Sequence, residues 1–116
     1  MDSDTFIKTM LFDFYGELLT EKQREYYDLH YNSDLSLYEI AEQSGTSRQA
    51  VWDIIRRADQ TLMQAEKKLG FIARSVRRGA MISEISQDVR RLSEYLDAEG
   101  KTAAESIILK LGELED

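Results

Sequence analysis

The chain has 116 residues, no cysteine and no proline, and its formal net charge is −7 at pH 7. This length suffices for one domain, or for one core with an appended arm, and the lack of cysteine excludes disulfides and thiolate metal sites. No apolar stretch approaches the about 20 residues that a membrane span needs, and the acidic start is unlike a signal peptide, so we expect a soluble cytoplasmic protein.

The composition favours helices over strands. Strictly alternating β-branched segments are absent and there are only 6 glycines, so we predict an all-α fold. Residues 36–79 hold eight basic and five acidic side chains, whereas the segments on either side are acidic. This distribution indicates either a basic footprint for a polyanion, flanked by ends that weaken non-specific binding, or simply the least acidic third of an ordinary chain.

Two helices are predicted before the turn at residues 32–34. The first covers residues 4–18, where Phe6, Ile7, Met10, Leu11, Phe14 and Leu18 recur at helical spacing. The second begins after Thr20, which forms a capping box with Gln23. His30 is the only histidine and lies among aromatic residues, so we assign it a structural role and no chemistry.

A helix-turn-helix pattern follows at residues 36–58, which read SLYEIAEQSGTSRQAVWDIIRRA. Ser36 and Glu39 predict a capping box at the start of a short first helix. The inward residues of this helix are Leu37, Ile40 and Ala41. Gly45 is suited to the turn because glycine adopts a positive φ at little steric cost.

The second helix of the pattern is predicted from Arg48 to about Leu69, with Ser47 as its N-cap and Gly70 as its stop or as a kink. Its inward stripe consists of Val51, Ile54, Ile55, Ala58, Leu62, Ala65 and Leu69. Removing that stripe leaves an outer face at the front of the helix that carries Arg48, Gln49, Trp52, Asp53, Arg56 and Arg57.

These outer residues, together with Ser47, form the predicted nucleic-acid-binding site. Arg48 is able to make bidentate hydrogen bonds to guanine, and Gln49 to adenine. Arg56 and Arg57 lie two turns further on, where phosphates would pass. Ser47 begins a helix whose first N–H groups favour an anion, so a phosphate is also expected there.

Two residues of the predicted site have alternative interpretations. Asp53 either accepts a hydrogen bond from cytosine or repels the phosphate backbone. Trp52 either stacks on an unpaired base or is covered by the C-terminal arm or a partner chain.

After a helix-turn-helix domain at residues 1–70, we predict a C-terminal helical arm at residues 71–116. The arm contains an a/d seam formed by Ile82, Ile85, Val89, Leu92 and Leu96. The seam either packs on its own domain or pairs two copies as a homodimer through residues 80–96. A last helix is predicted to start at Thr102.

Residues 19–62 read LTEKQREYYDLHYNSDLSLYEIAEQSGTSRQAVWDIIRRADQTL. This segment resembles region 4 of bacterial sigma factors. The shared features are a charged helix followed by the sequence SLYEIA, a glycine in the turn and the dipeptide SR at the start of the next helix. The chain more closely resembles the small YlxM-type family, also called UPF0122. It shares with that family an aromatic-rich N-terminal helix, the motif SRQAV followed by an aromatic residue, and KKLG before a charged helical tail. That resemblance covers roughly residues 1–96.

The two resemblances imply a function. Likeness to sigma region 4 implies promoter reading with Arg48 and Gln49 at base-contacting positions, although Trp52 and Asp53 depart from the basic or amide residues often found there. Likeness to the YlxM-type family implies a helix-turn-helix DNA-binding regulator. A part in the signal recognition particle pathway, inferred from gene neighbourhood, is also implied.

We therefore predict a non-enzymatic DNA-binding regulator without a cofactor, a metal or a small-molecule substrate. The alternative is an RNA- or protein-binding accessory factor of the signal recognition particle that does not read DNA sequence, with Arg74, Arg77 and Arg78 extending the basic surface. An enzyme is the least favoured class, because the chain has one histidine, no cysteine and no glycine-rich phosphate loop after a strand.

Overall fold

The computed structural model describes residues 3–115, which form six α-helices and one short 3-10 helix and contain no β-strand. The predicted all-α fold class is thereby confirmed. In chain order the elements are α1 (Ser3–Tyr15), the 3-10 helix (Gly16–Leu18), α2 (Glu21–Tyr31), α3 (Leu37–Ser44), α4 (Arg48–Leu69), α5 (Phe71–Ser93) and α6 (Ala98–Glu113). Residues 1, 2 and 116, which the predicted domain limits include, lie outside the described range.

Side-chain caps fix the starts of α2 and α3. The Thr20 hydroxyl accepts the N–H of Gln23 at 3.2 Å, and the Gln23 side chain accepts the N–H of Thr20 at 3.1 Å. Ser36 and Glu39 form the same reciprocal pair at 3.1 and 2.9 Å, and the hydrogen bond from Ser36 lowers the pKa of the Glu39 carboxyl. Both predicted capping boxes are confirmed, and they satisfy N–H groups that the first helical turn leaves without partners.

Two compact units make up the chain, Met1–Ile72 and Ala73–Asp116. In the first unit α4 packs against α1, α2 and α3, so this helix lies at the centre. The buried core consists of Leu11, Tyr15, Leu19, Tyr26, Tyr27, Ile40, Ala41, Val51, Ile55, Ala58 and Leu62. Each fully buried Leu or Ile stabilises the fold by about 1.5–3 kcal/mol, so burial of the inner stripe of α4 also fixes the direction of its outer face.

The face that α1 buries differs from the apolar stripe in its sequence. Of that stripe Leu11 is buried, but Phe6, Ile7 and Leu18 are each more than half exposed. Tyr15 and Leu19 complete the core instead.

A partly buried ion pair joins α1 to α4. Lys8 Nζ lies 2.7 Å from each carboxylate oxygen of Asp59, and the two side chains are only 14% and 19% exposed. The Tyr27 hydroxyl donates to the backbone carbonyl of Lys8 at 3.0 Å, and burial raises the pKa of this tyrosine. A charge left without its partner at such a site is costly, so the pair constrains how the two helices meet.

The junction between α4 and α5 is held by a second polar cluster. Gly70 ends α4 in the left-handed region, with φ 65° and ψ 27°, as predicted. The Tyr15 hydroxyl donates to Glu66 Oε1 at 2.5 Å and accepts the N–H of Phe71 at 3.1 Å, and Glu66 Oε1 accepts the N–H of Ile72 at 3.0 Å. Side chains from α1 and α4 thus cap the first N–H groups of α5.

The start of α6 corrects one prediction. The expected start at Thr102 is wrong, because α6 begins at Ala98 and Asp97 Oδ1 accepts the N–H of Gly100 at 2.8 Å. A Cβ at Gly100 would lie 2.9 Å from the Cβ of Leu96. This glycine therefore permits Leu96, which precedes α6, to lie close against the first turn of the helix.

The predicted a/d seam is shorter than expected. α5 ends at Ser93, so Leu96 lies beyond the helix. Ile82 is buried, whereas Ile85 and Leu92 are exposed. Part of the seam is therefore open to solvent, and pairing of two copies through it stays a prediction.

None of the helices within residues 3–115 is long and apolar enough to cross a membrane.

Candidate nucleic-acid interface

The α3–turn–α4 segment has the predicted helix-turn-helix geometry. Gly45 adopts φ 68° and ψ 32°, in the left-handed region that favours glycine. The N–H groups of Gly45 and Thr46 both donate to the carbonyl of Ala41, the second at 3.1 Å. Because these bonds satisfy the end of α3, a connection of only three residues separates it from α4.

Buried contacts hold α4 against α3. Ile40 and Ala41 of α3 and Val51 and Ile55 of α4 all belong to the core. Successive residues of an α-helix are rotated by about 100°, so burial of this stripe directs the opposite side of α4 outward.

Every residue of the predicted site lies exposed on α4 or at its start. They are Ser47, Arg48, Gln49, Trp52, Asp53, Arg56 and Arg57. Ser47 is also the N-cap of α4, as predicted, because its hydroxyl accepts the N–H of Ala50 at 3.1 Å. The Trp52 indole is 43% exposed, so it is accessible to a ligand.

Among the residues that the structure describes, only one of the three arginines on this face is paired with a carboxylate. Arg56 Nη2 lies 3.3 Å from Asp53 Oδ1, and both side chains are about half exposed. Within residues 3–115, no carboxylate forms an ion pair with Arg48 or Arg57. The guanidinium groups of Arg48 and Arg57 are therefore available to an anion, while that of Arg56 already has a partner.

A shallow groove between the starts of α3 and α4 adjoins the predicted site. Its lining residues are Ser36, Leu37, Tyr38, Ser47, Arg48, Gln49 and Trp52. Tyr38, which is 60% exposed, was not among the predicted site residues. The outer face of α4 was predicted by setting aside its inward residues. The same step applied to α3 predicts that Tyr38 is exposed, because it is not among the inward residues of that helix.

Residues 3–100 match the profile of UPF0122, described as "Putative helix-turn-helix protein, YlxM / p13 like". The chain belongs to the UPF0122 family. The resemblance inferred from the sequence is confirmed, and the family is not described as one of enzymes.

Individual UPF0122 proteins are similar to this chain over different lengths. One from Symbiobacterium thermophilum is 46% identical over 82 residues, which cover 71% of this chain and 77% of that protein. One from Clostridium kluyveri is 59% identical over 64 residues, 55% of this chain and 58% of that protein. One from Listeria welshimeri is 40% identical over 98 residues, 84% of this chain and 88% of that protein. The match therefore spans less than two thirds of the Clostridium protein.

His30 has a structural partner in this UPF0122 protein. Its Nδ1 lies 2.8 Å from the carbonyl oxygen of Leu35, and since a carbonyl only accepts, Nδ1 carries the donated proton. The bond spans the connection between α2 and α3. In the described part of the chain, no group of three or more His, Cys, Asp or Glu side chains is arranged to hold a metal ion.

Proposed function

We propose that this UPF0122 protein is a non-enzymatic regulator that binds duplex DNA with α4 as its recognition helix. The observation that carries the proposal is the exposure of Arg48 and Gln49 at the front of a helix whose opposite side is buried. An α-helix is about 10–12 Å across with its side chains and fits a major groove about 12 Å wide.

The proposed contacts divide into two kinds. In this proposal Arg48 reads guanine and Gln49 reads adenine through bidentate hydrogen bonds. Arg57 and the ion-paired Arg56 would contact phosphates, and a further phosphate would lie at the start of α4 near Ser47. Base contacts give sequence preference, whereas phosphate contacts give affinity and register.

Electrostatics predict modest, salt-sensitive binding. The whole chain carries a formal charge of −7, so its affinity depends on the local basic face rather than on net attraction. The three proposed phosphate contacts give a slope of roughly −3 for the logarithm of the binding constant against that of the salt concentration. As a DNA-binding protein, it would act in the cytoplasm.

Selection from a pool of random duplexes at low salt, with the full chain, tests the proposal. We expect an enriched sequence that binds tighter than its scrambled counterpart and loses affinity steeply as salt rises. Binding of the full chain to a folded RNA and to the protein components of the signal recognition particle is measured in parallel. Binding to either of these without any duplex binding would overturn the proposal in favour of an accessory factor of that particle.

We also propose that two copies pair through residues 80–96, where the exposed Ile85 and Leu92 lie. In helix-turn-helix dimers generally, the two recognition helices bind major grooves one turn apart, about 34 Å. Light scattering at several protein concentrations, on the full chain and on its Leu92→Glu variant, tests the pairing. A monomer at every concentration would contradict it.

A further inference from the structure

Two open aromatic side chains line the groove at the front of the helix-turn-helix. Tyr38 of α3 is 60% exposed and Trp52 of α4 is 43% exposed. Among residues 3–115, neither ring is stacked on another aromatic ring, and they do not contact each other. The groove that both rings line is therefore accessible to a ligand.

Polar groups complete the groove. Arg48 and Gln49 line it beside the aromatic rings, and Arg48 has no ion-pair partner in the described part of the chain. A matching ligand has a flat apolar face, an edge with hydrogen-bonding groups and a nearby negative charge. A nucleobase joined to its phosphate has all three, and such bases stack readily on aromatic side chains.

A paired base in a duplex does not satisfy this description. Its two faces are covered by neighbouring bases, and only its edges are reached from the major groove. Arg48 and Gln49 are suited to edges, whereas the faces of Tyr38 and Trp52 require a base that has left the stack.

We propose that the groove binds one unpaired base of the DNA target, held against Tyr38 and Trp52, while α4 contacts the adjoining duplex. This inference rests on the proposed duplex binding and adds the kind of target. The preferred site is a duplex with a bulged or easily extruded base beside the sequence that Arg48 and Gln49 contact.

The probe is a pair of short duplexes of one sequence, the first fully paired and the second with a single bulged 2-aminopurine. We expect the full chain to bind the bulged duplex about fivefold to a hundredfold tighter, the range that one base–aromatic stack provides. Because Trp52 is the only tryptophan, its fluorescence should be quenched together with that of the 2-aminopurine on the bulged duplex.

Tyr38→Ala separates the groove from the rest of the interface. This variant should lose most of the preference for the bulge and keep its affinity for the paired duplex, whereas Tyr38→Phe should retain the preference. Tyr95→Ala is the matched control, because Tyr95 is 85% exposed and lies outside the groove. It should behave as the unsubstituted chain does.

The outcomes distinguish this inference from the proposed function. Equal binding of both duplexes, or a bulge preference that survives Tyr38→Ala, overturns the groove assignment and leaves duplex binding standing. A chain that binds neither duplex nor an unpaired strand overturns both. Quenching of Trp52 by an unpaired strand alone, lost in Tyr38→Ala, supports the base-binding groove and overturns recognition of duplex DNA.

Discussion

Asp53 and Arg56 form an ion pair on the face that we propose for DNA, with Asp53 Oδ1 3.3 Å from Arg56 Nη2. The two residues are one helical turn apart on α4, and both are solvent-exposed. An exposed pair of this kind contributes little to stability, commonly below about 1 kcal/mol. The pair matters more for binding than for stability, because Asp53 both repels an incoming phosphate and occupies the guanidinium of Arg56 that would bind it.

We predict that Asp53→Asn strengthens duplex binding by about threefold to tenfold at low salt, or roughly 0.6–1.4 kcal/mol. The slope of affinity against salt should steepen by up to about one, because Arg56 no longer shares its guanidinium between Asp53 and a phosphate. Fluorescence anisotropy at several salt concentrations measures both effects.

Asp88→Asn is the control for that substitution. Asp88 pairs with Arg91 on α5 at the same spacing, and removing its charge changes the net charge by the same amount. Affinity should remain near that of the unsubstituted chain. An equal gain from both variants would mean that overall charge, rather than the face of α4, governs binding.

Arg48 and Arg57 should respond differently to truncation. Arg48→Ala should cost about 1–3 kcal/mol on the selected sequence and much less on a scrambled one, because a base contact is lost. Arg57→Ala should weaken both sequences alike and lower the salt slope by about one. Anisotropy titrations with the two duplexes distinguish these patterns, and uniform losses from both variants would rule out base readout by Arg48.

The Lys8–Asp59 pair should matter more for stability than the surface pairs. Asp59→Ala leaves the ammonium of Lys8 largely buried without its partner, so we expect a loss of about 2–4 kcal/mol in the free energy of unfolding. The double variant Lys8→Met with Asp59→Leu should be more stable than Asp59→Ala, because no buried charge remains. Urea denaturation followed by circular dichroism measures each value. A double variant as unstable as the single one would contradict an electrostatic cause.

Alkaline pH should destabilise the first unit. Burial raises the pKa values of Tyr15, Tyr27 and Tyr31 in the folded chain, whereas a tyrosine in the unfolded chain titrates near about 10. Above that pH the folded state binds more protons than the unfolded state, so the free energy of unfolding falls as pH rises. Below it these tyrosines contribute no pH dependence. Urea denaturation at a series of alkaline pH values measures the slope.

Tyr31→Phe tests the assignment of that slope. Within residues 3–115, the Tyr31 hydroxyl has no hydrogen-bond partner, so this substitution removes a titrating group and spares the bonds of Tyr15 and Tyr27. The fall in stability with pH should become shallower. An unchanged slope would assign the alkaline transition to other groups.

Local chemistry explains what the sequence was able to predict. A capping box such as Ser36 with Glu39 needs only residues three positions apart, and a left-handed turn needs a glycine such as Gly45. The helix-turn-helix and the bounds of α4 therefore followed from the residues within it. The exposed side chains at the front of α4 followed from subtracting its buried stripe.

Distant partners explain what the sequence did not predict. Tyr15 enters the core because its hydroxyl reaches Glu66, 51 positions away, and no pattern within α1 indicates that bond. The missed start of α6 has a local cause instead, because Asp97 rather than Thr102 caps the helix. The exposure of Tyr38 follows from the pattern of α3 alone, but its position in one groove with Trp52 depends on how α3 and α4 pack.

Replacing two glycines by alanine should change stability in opposite directions. Gly45 has φ +68°, and a Cβ there would meet no atom within 4 Å, so the whole cost of Gly45→Ala is backbone strain, about 1–2 kcal/mol. Gly79 lies inside α5 with equally open space around a Cβ, so Gly79→Ala should stabilise by about 0.5–1 kcal/mol. Urea denaturation followed by circular dichroism measures both. An added Cβ meets no neighbouring atom at either site, so steric clash does not complicate the comparison. An increase in the free energy of unfolding for Gly45→Ala would mean that the turn does not require a left-handed residue.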